Sequence, residues 1–457
     1  MTGEAAKLER SLGLKEATAL NMIDMVGIGP FVTIPLVIQY MGGPQCLLAW
    51  LAGALLSVLD GFVWSELGAA MPQAGGSYVF LREAYGPGRW GRLMSFLFIW
   101  QTLIQAPLVM ASAAIGFSEY FGYLVPLGPV AERIVRAALI LLLTFLLYRR
   151  IGAIGKISLL IWVGVIGTIG WLIWGGVTHF DARRAFDYPA GAWNLSWVFF
   201  LGLGQATVKT MYTYLGYYNV CHLGGEVKDP ERVIPRSIFL SIGGIAVLYL
   251  AMQISILGVV PWQQAQTSKF IVSTFVETLY GPFWGKVATG MILWVAFGSL
   301  FALTLGYSRI PYAAATDGNF LAVFGRVHPT KHFPHVSLLA LCGTGLVFSL
   351  FFRLGFVISA IIAMRCLVQF IGQAVGVMML RRRWPSARLP FKMWLYPLPA
   401  LAAIGGWALI FLSTRWLALA ATGVMALGVG VFLIRARAQN EWPFNRTQGE
   451  PLAGAAR

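Results

Sequence analysis

The chain has 457 residues, of which 58% are hydrophobic and 11% charged. Soluble domains carry about 25% charged residues, so this composition excludes a set of ordinary soluble domains, and most of the chain must face lipid or other apolar helices. The net charge of +16 would suit nucleic acid. However, Lys and Arg sit in short clusters between apolar runs, the pattern that orients membrane spans, and no nucleic-acid partner is expected.

Residues 1–17 form a cytoplasmic N-terminal segment. Lys7, Glu9, Arg10, Lys15 and Glu16 interrupt any signal-peptide apolar region, so the first span is expected to stay in the mature protein. A membrane helix needs about 20 apolar residues. Twelve such runs follow, at 18–40, 44–70, 93–122, 131–148, 155–177, 195–223, 235–260, 282–308, 337–352, 355–380, 393–412 and 416–435. The loop 262–281 is moderately polar and reads as a short surface helix. The layout is a ten-helix core over 18–380, two further helices over 381–435 and a cytoplasmic tail over 436–457.

With the N-terminus inside, 24 of the 34 Lys and Arg fall in cytoplasmic segments and 8 on the other side, while Lys209 and Arg365 lie within spans. The bias places both termini in the cytoplasm of a multi-pass inner-membrane protein. Cys46, Cys221, Cys342 and Cys366 lie in or beside apolar runs without metal-ligand spacing, and neither a metal nor a cofactor is expected.

Spans one and six are interrupted. Span one contains Val26-Gly27-Ile28-Gly29-Pro30 and then Pro35; span six contains Tyr212-Thr213-Tyr214-Leu215-Gly216-Tyr217-Tyr218-Asn219. Proline removes a backbone donor and clashes with the preceding turn, and glycine adds backbone freedom. In hydrocarbon the freed groups must find partners inside the protein or in a water-filled cavity. Spans one and six open two successive five-span halves, 1–5 and 6–10. Matched interruptions of this kind point to a midplane binding site in an inverted-repeat transporter, a rule whose standard example is the leucine-transporter fold. The half-helix starting near Gly29 would turn N–H groups towards a carboxylate. Carbonyls near Val26 and Gly27, and near Tyr212 and Thr213, would face an ammonium. An α-amino acid carries both groups.

Pro72-Gln73-Ala74-Gly75-Gly76-Ser77-Tyr78 and Glu83-Ala84-Tyr85-Gly86-Pro87 resemble the first cytoplasmic loop of the amino acid–polyamine–organocation superfamily. Gly224-Gly225-Glu226-Val227-Lys228-Asp229-Pro230-Glu231-Arg232-Val233-Ile234-Pro235-Arg236 is similar to that family's signature after span six. Ser308-Arg309-Ile310-Pro311-Tyr312 with Asp317-Gly318 looks like its loop after span eight. The resemblance covers roughly residues 15–435. It implies an all-α, twelve-span fold of the leucine-transporter type with a 5+5 inverted repeat. It also implies secondary transport by alternating access, with the substrate held by broken spans one and six. By position, Val26 to Pro30 fall on the loop that binds the substrate backbone and Tyr212 on an aromatic gate. The sequence departs from the family at Ile28, which lies between the two glycines where a serine or alanine is common. It departs again at Leu303, where some relatives carry a tryptophan gate, and at Gly164 and Val165, where some carry a lysine.

Ionisable residues inside spans are functional candidates by default. Asp24 reads either as a cap or helix partner or as a group protonated during transport. Lys209 and Arg365 read either as structural cations or as groups holding an anionic substrate. Gln101 and Gln105 share one face of span three and either line the site or bond between helices. Tyr214, Gly216, Tyr217 and Tyr218 join the candidate site because they lie in the break, and Glu226 is either an inner-gate ion pair or a cap. His222 reads as a packing residue. Asp60 and Glu66 lie towards the cytoplasmic end of span two, which leaves Asp24 as the central acid. The leading function is therefore an amino acid permease, symporter or antiporter, proton-coupled or exchanging. The alternative is a polyamine or other organic-cation permease. The spans carry no paired carboxylates, Ser/His/Asp grouping or metal-ligand cluster, so no enzyme is expected. The bilayer and a small solute are the expected partners, and the oligomeric state is left open.

Overall fold

A computed structural model describes residues 8–149, 151–351, 354–385 and 388–444, without the side chains of 354–358. Lys7, Arg150, Arg353, Arg446 and Arg457, counted in the charge bias, and the tail beyond Phe444 lie outside the described residues. The described chain is helical, and its strand-like pairing consists of two isolated bridges. In chain order the helices are α1 (Leu14–Met25), α2 (Gly29–Met41), α3 (Leu47–Ala70), α4 (Ser77–Tyr85), α5 (Trp90–Leu124), α6 (Pro129–Leu147) and α7 (Ile151–Thr178). Then come α8 (Ala182–Ala185), α9 (Trp197–Tyr214), α10 (Asn219–His222), α11 (Pro230–Val259), α12 (Trp262–Ala265), α13 (Ile271–Tyr280) and α14 (Pro282–Tyr307). The chain ends with α15 (Arg309–Thr316), α16 (His335–Phe351), α17 (Leu354–Arg365), α18 (Gln373–Arg383), α19 (Leu398–Ser413) and α20 (Trp416–Ala438).

Seven helical segments are long and apolar enough to cross a membrane: Pro44–Ala70, Trp90–Leu124, Ile151–Thr178, Pro230–Val259, Pro282–Thr316, Ser359–Arg383 and Trp416–Ala438. The pair α1 and α2, bent by 47°, makes an eighth if counted as one broken span. The other four expected spans are helical but shorter or more polar. α6 carries Glu132, Arg133 and Arg136, and α9 carries Gln205, Lys209 and a run of Thr and Tyr. α16 and α19 have 17 and 16 residues. The loop expected to form a surface helix contains α12 and α13; α13 buries Ile271, Val272, Phe275 and Val276.

The helix ends follow local chemistry. Glu16 accepts the Gly13 N–H at 2.9 Å and so caps the start of α1. α2 opens with Pro30 in its first turn, where the missing N–H costs nothing. Between α17 and α18, Cys366–Gly372 form a π-helical segment, a local widening of the helix that often accompanies functional sites.

The three loop motifs meet. Ala74 pairs with Leu223, and the Gly75 N–H donates to His222 O at 3.1 Å. The Tyr78 hydroxyl donates to Asp317 at 2.7 Å, and Arg82 pairs with the same carboxylate. The N-terminal segment joins them where the Ser11 and Leu12 N–H groups donate to Glu226 O at 2.9 and 3.0 Å. Loops distant in sequence are thus bonded into one layer beneath the apolar core.

Candidate functional site: two helix breaks around one cavity

α1 ends at Met25, and Val26 leaves the helical region with ψ at 76°. α9 ends at Tyr214; Leu215 is extended, and Gly216 adopts φ +126°, a conformation that L side chains rarely take. The two breaks touch each other. A Cβ on Gly216 would lie 2.7 Å from Met25 N and 2.9 Å from the Asp24 carbonyl carbon. A Cβ on Gly29 would lie 3.2 Å from Thr213 Cγ2 and 3.3 Å from Tyr212 Cε1. Glycine at these positions is what lets the backbones approach.

Some freed backbone groups are met by side chains of neighbouring helices. The buried Tyr249 hydroxyl of α11 donates to Met25 O at 2.7 Å and lies 3.1 Å from Thr213 O. Ser299 of α14 donates to Asp24 O at 3.2 Å. Each carbonyl keeps a second lone pair. Gly27, Ile28 and Gly29 stand at the α2 N-terminus, where a helix lacks internal acceptors for its first N–H donors.

A cavity of about 60 Å³ lies against both breaks. Asp24, Gly27, Ile28 and Gly29 line it from span one; Tyr212, Thr213, Gly216 and Tyr218 from span six. Ser112, Ser299, Leu303, Tyr307 and Arg365 add to the wall. Tyr212 lies 3.4 Å from Ser112 Oγ through its hydroxyl. Arg365 is 2% exposed and donates to the Tyr218 hydroxyl, while its Nε has no partner. Asp24 and Arg365 thus both line the same small space, and no ion pair joins them.

Other sequence candidates stand behind the wall. Val26 and Pro30 are buried but do not line the cavity. Gln105 donates to the Tyr307 hydroxyl at 3.2 Å, so it reaches the cavity through that lining residue. Gln101 is buried with neither side-chain polar atom partnered. Tyr214 packs edge-on against Trp50 and Tyr249, and Tyr217 turns away to donate to Asp60. Lys209 donates to Ser359 at 3.1 Å and does not line the cavity. Glu226 forms a buried bidentate pair with Arg309, at 2.9 Å to Nε and 2.7 Å to Nη2. His222 packs among Trp64, Tyr218 and Tyr307.

Residues 12–434 match the model of the amino acid permease family. The chain belongs to that family. The permease is 24% identical to the serine/threonine exchanger SteT of Bacillus subtilis over 93% of this chain and 94% of the exchanger. It is 25% identical to the human Asc-type amino acid transporter 1 over 94% of this chain and 81% of that protein. To the human cystine/glutamate transporter it is 25% identical over 87% of this chain and 79% of the relative. The relatives are transporters, and the permease is a multi-pass membrane protein.

The departures from the family pattern have local structural counterparts. Ile28, 3% exposed, packs on Gly116 of α5, where a Cβ would lie 3.0 Å from Ile28 Cγ1. At Gly164 a Cβ would lie 2.2 Å from the Trp294 indole nitrogen, and that indole donates to Ile161 O at 3.2 Å. An aromatic ring from α14 thus occupies the space beside Gly164 in span five. Leu303 lines the cavity, so this part of its wall is aliphatic.

Sequence reasoning missed Ser112, Ser299 and Tyr307. Ser112 lies two turns after Gln105, on the same helix face, so the face that singled out the glutamines already pointed at it. Tyr307 closes α14 beside the Ser308-Arg309 motif and reads in sequence as an interface anchor. It also misplaced Asp60, which the structure sets against the span-six break.

Proposed function

We propose that the permease carries a small neutral amino acid across the cytoplasmic membrane by alternating access. The observation that carries this reading is the contact between two interrupted helices beside one cavity. In this reading the α-carboxylate lies at the α2 N-terminus, on the N–H groups of Gly27, Ile28 and Gly29. The ammonium lies towards the Asp24 carboxylate and the second lone pairs of the Met25 and Thr213 carbonyls. Arg365, held by Tyr218, balances the charge of Asp24, so the empty site is neutral and a zwitterion keeps it so. A polyamine would bring several positive charges beside Arg365 into a space that offers one carboxylate, and that reading is not favoured. About 60 Å³ holds roughly four to six water-sized groups, the size of glycine or alanine.

The same reading places twelve helices in the membrane, with the first ten as a 5+5 inverted repeat over 18–380, the last two over 381–435, and both termini in the cytoplasm. Tyr212 covers the substrate from one side. The Glu226–Arg309 pair and the N-terminal segment close the other.

Counterflow in proteoliposomes tests the proposal. Vesicles loaded with one unlabelled L-amino acid should transiently accumulate the same labelled one. If none of the twenty L-amino acids gives counterflow with well-inserted protein, the carrier reading falls. A thermal-shift screen against amino acids and polyamines narrows the substrate, because a ligand that binds only the folded state raises apparent stability.

A further inference from the structure

We propose that Asp60 is a proton-binding site whose occupancy is coupled to the span-six break, so that transport is driven by protons. The inference rests on the carrier reading above and names its coupling ion. Asp60 lies in α3, is 0% exposed and has no cationic partner among the described residues. Its Oδ2 accepts the Tyr217 hydroxyl, and its Oδ1 has no hydrogen-bond partner. The buried Trp64 and Trp407 indole N–H groups have no hydrogen-bond partner either.

An unpaired carboxylate is costly in such surroundings, and the partnerless Oδ1 is the atom on which a proton can sit. Among the described residues, the helices packed on α3 bring no cation into contact with Asp60. α19 contributes Trp407 and no titratable group. From span six come Tyr214, Tyr217, Tyr218 and Lys209, the last bonded to Ser359. α11 offers Tyr249, committed to Met25 O, and its charged Glu231, Arg232 and Arg236 lie in its first two turns. From the π segment comes Cys366, and α18 places Arg381 on Glu66 at the far end of α3.

The link to the cavity is short. Tyr217 sits between Gly216 and Tyr218, both in the cavity wall. The Tyr218 ring stacks on Trp64, one turn along α3 from Asp60, with ring centres 4.4 Å apart, and its hydroxyl accepts Arg365. When Asp60 is ionised, the Tyr217 bond is charge-assisted and pins the break to α3. A proton taken from outside and placed on Oδ1 neutralises the acceptor, weakens that bond and frees the break to move. The same proton leaves to the cytoplasm when the site turns inward, so each cycle moves one proton with one amino acid.

The test uses the full-length permease in proteoliposomes with labelled L-alanine, or the best substrate of the counterflow panel. With an inward gradient of one pH unit, the wild type should accumulate substrate about tenfold at one proton per substrate. Asp60→Asn should retain counterflow and lose this accumulation. An Asp60→Asn protein that accumulates like the wild type overturns the assignment, as does a wild type that counterflows without responding to the gradient. Infrared difference spectra give a readout independent of substrate. A buried carboxylic-acid carbonyl band should titrate with pH in the wild type and be missing from Asp60→Asn, while any band from Asp24 persists in both; identical titrating bands in the two proteins overturn the assignment, as does a wild type with none. Should Asp60→Asn fail to insert, Tyr217→Phe keeps the carboxylate and should shift the pH at which that band titrates. An unshifted titration overturns the coupling to the break.

Discussion

Gly29 shows how much a single hydrogen in place of a side chain decides here. A Cβ at this position already presses Thr213 and Tyr212, and a longer side chain would fill the cavity. Gly29→Leu is therefore expected to abolish uptake while leaving membrane insertion intact, and uptake at the wild-type rate with normal surface yield would remove Gly29 from the site. Tyr212 contributes one ring and one hydroxyl, the latter 3.4 Å from Ser112. Tyr212→Ala should raise the apparent KM about tenfold, the scale of one lost contact of about 1.4 kcal/mol; a change in yield alone would make Tyr212 a packing residue. Arg365→Ala leaves the Asp24 charge without its counterpart across the cavity. Its expected outcome is a shift of preference towards cationic substrates, read as the ratio of lysine to alanine uptake, and an unchanged ratio would make Arg365 purely structural.

At the scale of elements, the buried Glu226–Arg309 pair ties the segment after span six to the start of α15. Removing one partner of a buried pair leaves an uncompensated charge, at a cost of about 3–5 kcal/mol. Glu226→Ala should therefore lower the thermal midpoint of the purified protein markedly. A midpoint equal to that of the wild type would show that the pair contributes nothing to closing this end. The helix breaks work at the same scale: neither is a flaw in one helix, because Tyr249 bonds or approaches both broken ends and Gly216 and Gly29 let each break abut the other.

Across the whole molecule, loops from three parts of the chain join beneath a continuous apolar core. The proposed topology, read from the Lys and Arg bias, puts this bonded layer in the cytoplasm. Cysteines introduced singly at Arg89 and at Arg388 should therefore react with an impermeant maleimide only after the cytoplasmic face is opened. Labelling of either from the outside of intact cells would invert the proposed topology.

Much of this was legible in the residues taken in order. Apolar runs reveal themselves through composition, and proline with flanking glycines announces a helix that cannot continue, because those effects act within a few residues. The contact partners were not legible. Nothing local says that Tyr217 turns to Asp60 while Tyr218 turns to Arg365, or that a tryptophan from α14 fills the space beside Gly164. Four expected spans also proved shorter or more polar than a free-standing membrane helix requires, since neighbouring helices can shelter what lipid would not. Sequence alone thus determined the helical membrane class, the family and the positions of both breaks. Only the tertiary structure decided which polar groups enter the cavity and which are spent on one another, because a buried donor or acceptor takes whatever partner packing brings within about 3 Å, however far away in the chain.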